Sequence, residues 1–319
     1  MRIIAIDVSK RQLELYDGRQ TLTIAREEDA FRQHLREAKK RWAEVKVLWE
    51  ATGTYTSLLW RVCEGEQVEA AEVCGSKIRS MARALGLRLK NDRVDAKVIY
   101  RYGEITGEGL WRGHRRGKAS IMELRTALTY YHGLEKMLSQ VRGLRESLSQ
   151  VGEYSAWMEE RIEAEMAELR KLKKEAVARM LEVIRKDKAL REDYRRLCSI
   201  KGIGPITAIH LLVMFHSHEG ANRRQITALF GLDPVEHSSG EKRGKSRISK
   251  KGWRAARSTL YMAAVSAVRF NERIRAFYER LIERGKVKKV ALVAAMRKLL
   301  LIAFACWKKG EFYRPALDT

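Results

Sequence analysis

Cysteine and proline are both scarce in this chain of 319 residues. The four cysteines, Cys63, Cys74, Cys198 and Cys306, form no CxxC pair. This scatter argues against a zinc knuckle or a disulfide framework and is typical of a reducing cytoplasm, where we expect the protein to reside. Only three prolines occur, so long uninterrupted helices are possible.

Long uncharged apolar runs are missing as well. The first residues, "MRIIAIDVSK", contain too short an apolar run for a signal peptide. Near the end, "VALVAAMRKLLLIAFACW" carries Arg297 and Lys298 in its middle. A charged pair at that position favours a buried amphipathic helix over a membrane span, and no membrane partner is expected.

Acidic residues are too few to balance the basic ones. The 40 Asp and Glu face 64 Lys and Arg, which leaves a net charge of +24 and a pI near 10.0. Residues 196–319 contain 25 of the basic and 9 of the acidic residues. A surplus of this size predicts a polyanionic partner, because each phosphate that a cation neutralises releases counterions.

The first region, residues 1–115, has the pattern of an α/β domain. Three predicted strands come first, "RIIAIDV", "RQLELYD" and "QTLTIA". After a helix at about 27–43, the strands "VKVLWE" and "QVEAAEV" alternate with helices, and two more helices end the region. A meander followed by alternating helices and strands is the order expected of a ribonuclease-H-like domain.

The middle region, residues 116–195, has an almost continuous helical pattern without proline. In "MEERIEAEMAELRKLKKEAVARMLEVIRKD", apolar residues recur at helical spacing with opposite charges between them. The pattern predicts a long helical hairpin or coiled coil, which serves as a dimerisation arm or packs on its own chain.

The third region, residues 196–319, is predicted to be mainly α-helical and opens with "LCSIKGIGPITAIHLL". Gly202 and Gly204 permit a tight turn, and the amides that begin the next helix face outward. The stretch therefore predicts a helix-hairpin-helix that contacts a phosphate through Lys201, Gly202 and Gly204. A plain connector between two helices is the alternative.

Four acidic residues stand out against the basic background. Asp7 ends the predicted strand "IIAID" and Glu50 ends "VKVLWE", so their side chains converge if the strands pair in one sheet. Asp92 and Asp95 are three residues apart and share one face of a helix. These four carboxylates are expected to meet at one end of the sheet.

Ionised carboxylates cluster only when cations compensate them. A site of oxygen ligands alone favours Mg²⁺, with Mn²⁺ as an alternative, and two such ions activate a phosphodiester. Each residue also has a structural interpretation: Asp7 as a turn cap, Glu50 as a solvated strand end, Asp92 as a helix N-cap. The order of all four along the chain favours the metal site.

The stretches "AIDVSK", "WEATGTY" and "LKNDRVDAK" resemble the DEDD motifs of transposases with a RuvC-like domain. Those transposases form the one-ten family of insertion sequences, also called bridge-RNA-guided recombinases. Three further stretches resemble the transposase domain of that family: "IKGIGPITA", "FGLDPVEHSSGEKRGKSRISKKG" and "LYMAA". The likeness covers nearly the whole chain and implies a RuvC-like domain, a helical region and a transposase domain.

The resemblance also implies a serine nucleophile, which falls on Ser239 in "HSSG". Ser239 would attack a DNA phosphate and form a transient phosphoserine link. Ser238 is adjacent, and the choice between them rests on alignment to Gly240. From the residues alone the segment has the pattern of a flexible basic loop, in which His237 is one candidate base for activating a hydroxyl.

Further implied partners are double-stranded donor and target DNA, a noncoding bridge RNA, and a second copy of the chain, with a dimer of dimers holding both DNAs. Basic residues near the motifs are the predicted phosphate contacts: Lys90, Arg93, Lys97, Arg243, Lys245, Arg247, Lys250 and Lys251. Base pairing by the RNA would then choose the sequence.

Three other functions compete with a recombinase. A structure-specific endonuclease of the resolvase type would use the four carboxylates without the serine. A nucleic-acid-binding scaffold would use neither. An actin-like ATPase shares the strand order and the early aspartate, but it needs glycine-rich phosphate loops, and none stands at a suitable place in this sequence.

Overall fold

The computed structural model describes residues 2–87, 92–111, 119–151, 156–235 and 247–315, with the backbone alone at residues 54, 92–94, 108 and 109. The chain divides into two compact units, Met1–Arg116 and Gly117–Thr319. The first is mixed α/β and the second mostly helical, which confirms the predicted fold class at that level. Helices on both sides of the boundary predicted between residues 195 and 196 share one core, and that boundary stays a prediction.

The first unit is built on a five-stranded sheet with the strand order β3-β2-β1-β4-β5. Strands β1 (Arg2–Val8), β2 (Gln12–Tyr16) and β3 (Thr21–Ala25) form an antiparallel meander. Strands β4 (Val45–Glu50) and β5 (Glu69–Val73) run parallel to β1. The helices of this unit are α1 (Glu28–Arg41), α2 (Ser57–Gly65), α3 (Gly75–Ala84) and α4 (Asp92–Thr106). This agrees with the predicted order of elements.

Side chains that alternate along β1 supply two separate cores. Ile4 and Ile6 are fully buried in a core shared with α1 and α2, whereas Ile3 and Ala5 belong to a core shared with α3 and α4. Because successive strand residues point to opposite faces, Asp7 lies on the face that α3 and α4 cover.

The second unit contains eight helices among its described residues: α5 (Ala119–Ser149), α6 (Ala156–Lys186), α7 (Lys188–Cys198), α8 (Pro205–Ser217), α9 (Arg223–Leu229), α10 (Arg254–Phe270), α11 (Glu272–Glu283) and α12 (Lys288–Lys309). A short hairpin of β6 (Pro234–Val235) and β7 (Arg247–Ile248) joins α9 to α10. The helices of this unit share one hydrophobic core, called the main core below. Helix α8 is buried from Thr207 to Phe215 and lies at the centre of this core.

Helices α5 and α6 form the predicted helical hairpin. Their ion pairs join residues in reverse order along the two helices: Glu123 with Arg179, Glu135 with Lys173, and Arg145 with Glu163. The seam between them buries Leu134, Leu138 and Met166. The hairpin is therefore antiparallel within one chain, and a coiled-coil supercoil stays a prediction.

Helix α12 is the one helix among the described residues that is long and apolar enough to cross a membrane. In the structure 44% of the most apolar 18-residue stretch of this helix is buried inside the unit. Leu299, Leu300 and Phe304 of α12 pack in the main core. This packing is typical of a core helix, as the charged pair Arg297 and Lys298 predicts.

Two histidines in the second unit are in contact, and the pKa of one of them is lowered. His132 Nε2 and His210 Nε2 are 2.7 Å apart, and His210 packs edge-on against Trp253. Burial, and then the neighbouring His132, lowers the pKa of His210 to about 3. His210 is therefore neutral in the folded protein at pH values where an unfolded chain binds the proton.

We expect the free energy of unfolding to fall as the pH drops from 6.5 towards 3. At pH 5 the loss from His210 is about 2 kcal/mol, because each pKa unit corresponds to about 1.4 kcal/mol. Urea unfolding at pH 7 and pH 5 measures it. The His210→Gln variant should lose about 2 kcal/mol less than wild type over this interval, and an equal loss in both proteins would contradict the assignment.

Candidate active site and nucleic-acid interface

Asp7 and Glu50 are neighbours at the C-terminal ends of two parallel strands. The last residues paired before them are Ile6 of β1 and Trp49 of β4. Asp7 and Glu50 follow by one residue each, on the face opposite that pair. Both are partly buried, and the side chain of Glu50 is 22% exposed. The predicted meeting of the two strand ends is therefore present in the sheet.

The C-terminal half of α4 packs over the beginnings of these strands. A Cβ atom added at Gly103 would lie 2.9 Å from Leu48 Cδ2 and 3.2 Å from Ile3 Cδ1. The ring centre of Trp111, which follows the helix, lies 5.4 Å from Lys46 Nζ near the start of β4. These contacts direct the N-terminal turn of α4 towards the opposite ends of the strands.

Asp95 lies in that N-terminal turn, eight residues before Gly103 on the same helix face. The eight steps from Asp95 to Gly103 span about 12 Å of helix, and the four steps from Ile3 to Asp7 span about 13 Å of strand. Asp95 is partly buried, and the next residue, Ala96, is fully buried. The helix thus places Asp95 at the level of Asp7 and Glu50.

The structure does not gather these carboxylates into a ligand shell. Among the described side chains, no group of three His, Cys, Asp or Glu residues is close enough to hold a metal ion. The backbone of Asp92 begins α4, but its side chain falls outside the described residues. The metal site of Asp7, Glu50, Asp92 and Asp95 therefore stays a prediction.

Glu14 lies outside the set of residues predicted from the sequence, yet it belongs to the same row of the sheet. It pairs directly with Asp7 in the antiparallel ladder between β1 and β2. Its Oε1 accepts a hydrogen bond of 2.7 Å from Thr23 Oγ1, whereas its Oε2 is buried without a hydrogen-bond partner among the described residues. The alternation in "QLELY", with Leu13 and Leu15 buried on the other face, is the signal that points to it.

The arrangement suits a hard divalent cation. Asp7, Glu14 and Glu50 offer carboxylate oxygens, which Mg²⁺ and Mn²⁺ prefer. A buried acceptor such as Glu14 Oε2 is costly to leave without a donor, and a cation nearby would satisfy it.

Gly75, the first residue of α3, makes room for the carboxylate of Glu50. A methyl group at Gly75 would overlap Glu50 Oε1, and the same carboxylate lies 3.9 Å from Arg79 Nη1. Both contacts come from α3, so this helix holds Glu50 at the strand end. A single glycine after a strand carries no sequence signal for this role.

Gly75→Ala is expected to displace Glu50 while the protein stays folded, because the atom in the way is the end of a flexible side chain. We expect strand-cleavage activity to fall about tenfold or more, since a misplaced group near the reacting atoms costs up to about 10²-fold. The thermal midpoint of unfolding should change little. Gly65→Ala is the control, since Gly65 is an exposed glycine of the same unit where an added Cβ would come no closer than 4.0 Å to another atom. Full activity of Gly75→Ala would contradict the role of Glu50.

Ser239 lies outside the described residues, together with Ser238, His237, Lys90, Arg243 and Lys245. The hairpin of β6 and β7 borders the segment of residues 236–246. At the base of the hairpin, Ser249 Oγ donates a short hydrogen bond to Asp233 Oδ1. The two ends of the segment that carries Ser239 are therefore fixed.

Two glycines hold the base of this hairpin close to the helices. Gly231 and Gly252 both have positive φ, 63° and 97°. A Cβ at Gly231 would overlap the carbonyl oxygen of Lys251, and a Cβ at Gly252 would overlap that of Leu229. Only glycine fits at such positions. The motifs "FGLDP" and "KKGW" thus encode the support of the hairpin.

The other predicted phosphate contacts are distributed over both units. Lys97, Lys201, Arg247, Lys250 and Lys251 are exposed, and the Arg93 side chain falls outside the described residues. Lys97 Nζ lies 5.6 Å from the ring centre of Tyr16. Their contact with nucleic acid stays a prediction.

The glycines of "IKGIGP" have different surroundings in the turn between α7 and α8. Gly202 has a φ of 104°, and an added Cβ would lie 2.5 Å from Ala267 Cβ and 2.8 Å from Ala267 N. Gly204 precedes the first residue of α8 and has open space around it. Gly202 therefore has a packing role against α10, and the exposed Gly204 is the better candidate for approach by a phosphate.

Two family models match the chain in consecutive parts. Residues 4–152 match the model of DEDD transposases of the IS110 type, which is described as a transposase. Residues 194–279 match the model described as the transposase of the IS116/IS110/IS902 family. The first match covers the sheet and α5, and the second covers the hairpin and α8–α11.

Curated relatives agree with these models. The chain is 28% identical to the pilin gene-inverting protein of Moraxella bovis over 268 residues, which cover 82% of this chain and 80% of the relative. The same protein of Moraxella lacunata shows the same identity and coverage. The transposase for insertion sequence element IS1111A of Coxiella burnetii is 33% identical over 128 residues, 39% of this chain and 35% of the relative.

Proposed function

Because this chain belongs to the IS116/IS110/IS902 family of transposases, we propose that it moves or inverts a DNA segment through a metal-bearing carboxylate site and a serine nucleophile. It is a transposase or recombinase, an enzyme that cleaves and rejoins DNA. The observation that carries the chemistry is the register of β1 and β4, which sets Asp7 beside Glu50 at the sheet edge towards which α4 directs Asp95.

The carboxylates of Asp7, Glu50, Asp92 and Asp95 would hold Mg²⁺ or Mn²⁺ in a ribonuclease-H-like site, and Glu14 would face the same site. Bound ions of this kind polarise the phosphate and stabilise charge on the attacking and leaving oxygens. The protein contributes the spacing of the strand ends, and Gly75 and Arg79 fix the orientation of Glu50.

The hydroxyl of Ser239 attacks the phosphorus of a DNA phosphodiester. A bond forms between its oxygen and the phosphorus while the bond to one sugar oxygen breaks. The serine proton passes to a base, for which His237 is the candidate, and the released sugar oxygen takes up a proton. The free hydroxyl of another strand then attacks the phosphoserine and restores Ser239. Each phosphodiester lost is regained, so no ATP is needed.

Sequence choice is assigned to a bridge RNA that pairs with donor and target DNA, as in other guided enzymes. The supporting observation is the charge of the chain, with 25 basic and 9 acidic residues in the last 124 positions. Such a surface reads the phosphate backbone rather than base edges. The predicted cytoplasmic location gives the protein access to both nucleic acids.

The α5–α6 hairpin is proposed as the arm through which two copies associate. Along α5 and just beyond it, large apolar side chains are exposed at intervals of seven residues: Tyr130, Met137, Leu144 and Val151, with exposed fractions of 51–57%. A stripe with this period is the seam of a left-handed coiled coil. Leu134 and Leu138 pack on α6 from a neighbouring face of α5, and the exposed stripe beside them is available for a second copy.

Met137→Glu combined with Leu144→Glu is expected to convert the dimer to a monomer at micromolar concentration, because four charges would face each other across the seam. Sedimentation velocity measures the mass. Lys136→Glu with Gln140→Glu adds the same number of carboxylates to exposed positions of α5 outside the stripe and should leave the dimer intact. A monomeric wild type, or a dimer in the stripe variant, would contradict the arm.

The function itself is tested on the purified protein. RNA that copurifies is sequenced, and matched DNA oligonucleotides are incubated with protein and Mg²⁺, then separated under denaturing conditions. The proposal expects a discrete RNA and a covalent protein–DNA adduct. Cleavage without an adduct would favour the resolvase-type endonuclease, and DNA binding without cleavage would favour a scaffold.

A further inference from the structure

A groove of 1120 Å³ runs along the surface of the second unit. Its longest wall is one face of α12, from Val290 to Lys309, and the segment after α12 closes one side. The nineteen steps from Val290 to Lys309 span about 28 Å of helix. The groove is therefore long enough to hold an extended chain.

The floor of the groove is apolar and partly aromatic. Val293, Leu301 and Ile302 of α12 line it together with Phe277 of α11. At its ends Val287, Val290 and Phe312 are 70%, 57% and 52% exposed. Exposed apolar side chains in one continuous concave surface are a signature of a binding site.

The rim of the groove is strongly basic. Eight of its lining residues are lysine or arginine, and one, Glu311, is acidic. Arg223, Arg273 and Arg297 project from three different helices, α9, α11 and α12. Such a surplus in a concavity focuses a positive potential and attracts an anionic ligand.

The groove also borders the hairpin that carries the proposed nucleophile. Pro234 and Ile248, which pair at the base of this hairpin, are among the lining residues, and so is Arg247. A ligand in the groove therefore lies next to the segment that contains Ser239.

We propose that this groove binds single-stranded DNA, the strand that Ser239 cleaves, with bases on the apolar floor and phosphates on the basic rim. Single-strand sites combine these two features, since unpaired bases stack on aromatic side chains while cations follow the backbone. A duplex keeps its bases paired and presents phosphates, which leaves an apolar floor without a partner. A second copy of the chain has the same basic rim, and like charges would repel.

The inference rests on the proposed function only for the identity of the strand, and binding can be measured without chemistry. Full-length Ser239→Ala protein, freed of RNA at high salt, is titrated into fluorescein-labelled dT20, rU20 and a 20-bp duplex while anisotropy is recorded. Arg273→Gln with Arg297→Gln neutralises two rim cations, and Phe312→Ala removes the exposed ring. Arg161→Gln with Lys174→Gln, on exposed positions of α6, is the matched control for charge.

The rim variant is expected to weaken dT20 binding about tenfold or more and to reduce the slope of log K against log salt by about 1.4, since each phosphate contact contributes about 0.7 for single strands. Phe312→Ala should weaken dT20 binding at least about fivefold, the lower limit for loss of one stacked base. Binding of the duplex, and of dT20 to the control variant, should change less than about twofold.

Three results would overturn the proposal. Equal loss for dT20 and duplex would make the groove a duplex contact, and tighter binding of rU20 that depends on the same residues would make it an RNA site. Unchanged nucleic-acid binding, with an altered mass in sedimentation, would assign the groove to a second copy. A failure of covalent adduct formation in the wild type is a separate readout, so failure of the serine mechanism is distinguishable from failure of the groove.

Discussion

Replacement of Ser239 by alanine is expected to abolish strand exchange and the covalent protein–DNA adduct, with activity reduced by about 10³-fold or more. The reason is that alanine lacks the hydroxyl oxygen that forms the phosphoserine link. Nucleic-acid binding should stay within about twofold of wild type, because a serine makes little contribution to charge. The measurements are adduct formation on denaturing gels and recombination between matched DNA substrates.

Ser238→Ala is the matched control for this prediction. The two serines are adjacent in a segment of the same composition, and only the alignment of Gly240 distinguishes them. Ser238→Ala should retain adduct formation within about threefold. If Ser238→Ala lost the adduct and Ser239→Ala kept it, the nucleophile would be Ser238. If both variants still formed the adduct, neither serine would be the nucleophile.

Strand alternation explains why much of the first unit was predictable. In "RIIAIDV" and "VKVLWE" the residues before the acidic one are buried on both faces of the sheet. A carboxylate that follows such a run therefore lies at the end of the strand, at the edge of the buried region. Asp7 and Glu50 are predictable from the sequence because each is the first carboxylate after a run of buried residues. Their adjacency needed only the parallel pairing that the order of elements indicates.

Contacts between elements distant in sequence were not predictable in this way. The opposition of Glu14 to Asp7 depends on the register of a hairpin, and a shift of one residue would turn Glu14 to the other face. The role of Gly75 depends on the distance between α3 and the end of β4, which no local pattern encodes. Sites that are assembled from several elements are set by packing as much as by sequence motifs.

The second unit shows the same limit on a larger scale. Helical periodicity predicts the α5–α6 hairpin, but it does not predict that Ile121, Leu128 and Met180 complete the core around α8. The groove along α12 likewise follows from the packing of several segments, among them α9, α11 and the β6–β7 hairpin. Arg297 and Lys298, the two charges inside the apolar run of α12, border that groove.

Replacement of Asp7 by asparagine is expected to reduce strand cleavage by about 10³-fold or more and to remove the stabilisation that Mg²⁺ confers. A ligand that binds only the folded protein adds about 2.7 kcal/mol at a hundred times its dissociation constant. Wild type should therefore unfold at a higher temperature when Mg²⁺ is added. The unfolding temperatures of Asp7→Asn and wild type without metal provide the baselines for this comparison.

Two further variants make this test specific. Asp29→Asn changes an exposed carboxylate on α1 and should keep both the activity and the Mg²⁺-dependent shift in unfolding temperature. Glu14→Gln should weaken the shift while some cleavage persists, since Glu14 adds one oxygen beside Asp7 and is not one of the four motif carboxylates. A shift of equal size in Asp7→Asn and wild type would place the ion elsewhere. The carboxylate row of β2, β1 and β4 would then have a structural role, and Ser239 would need activation from another group.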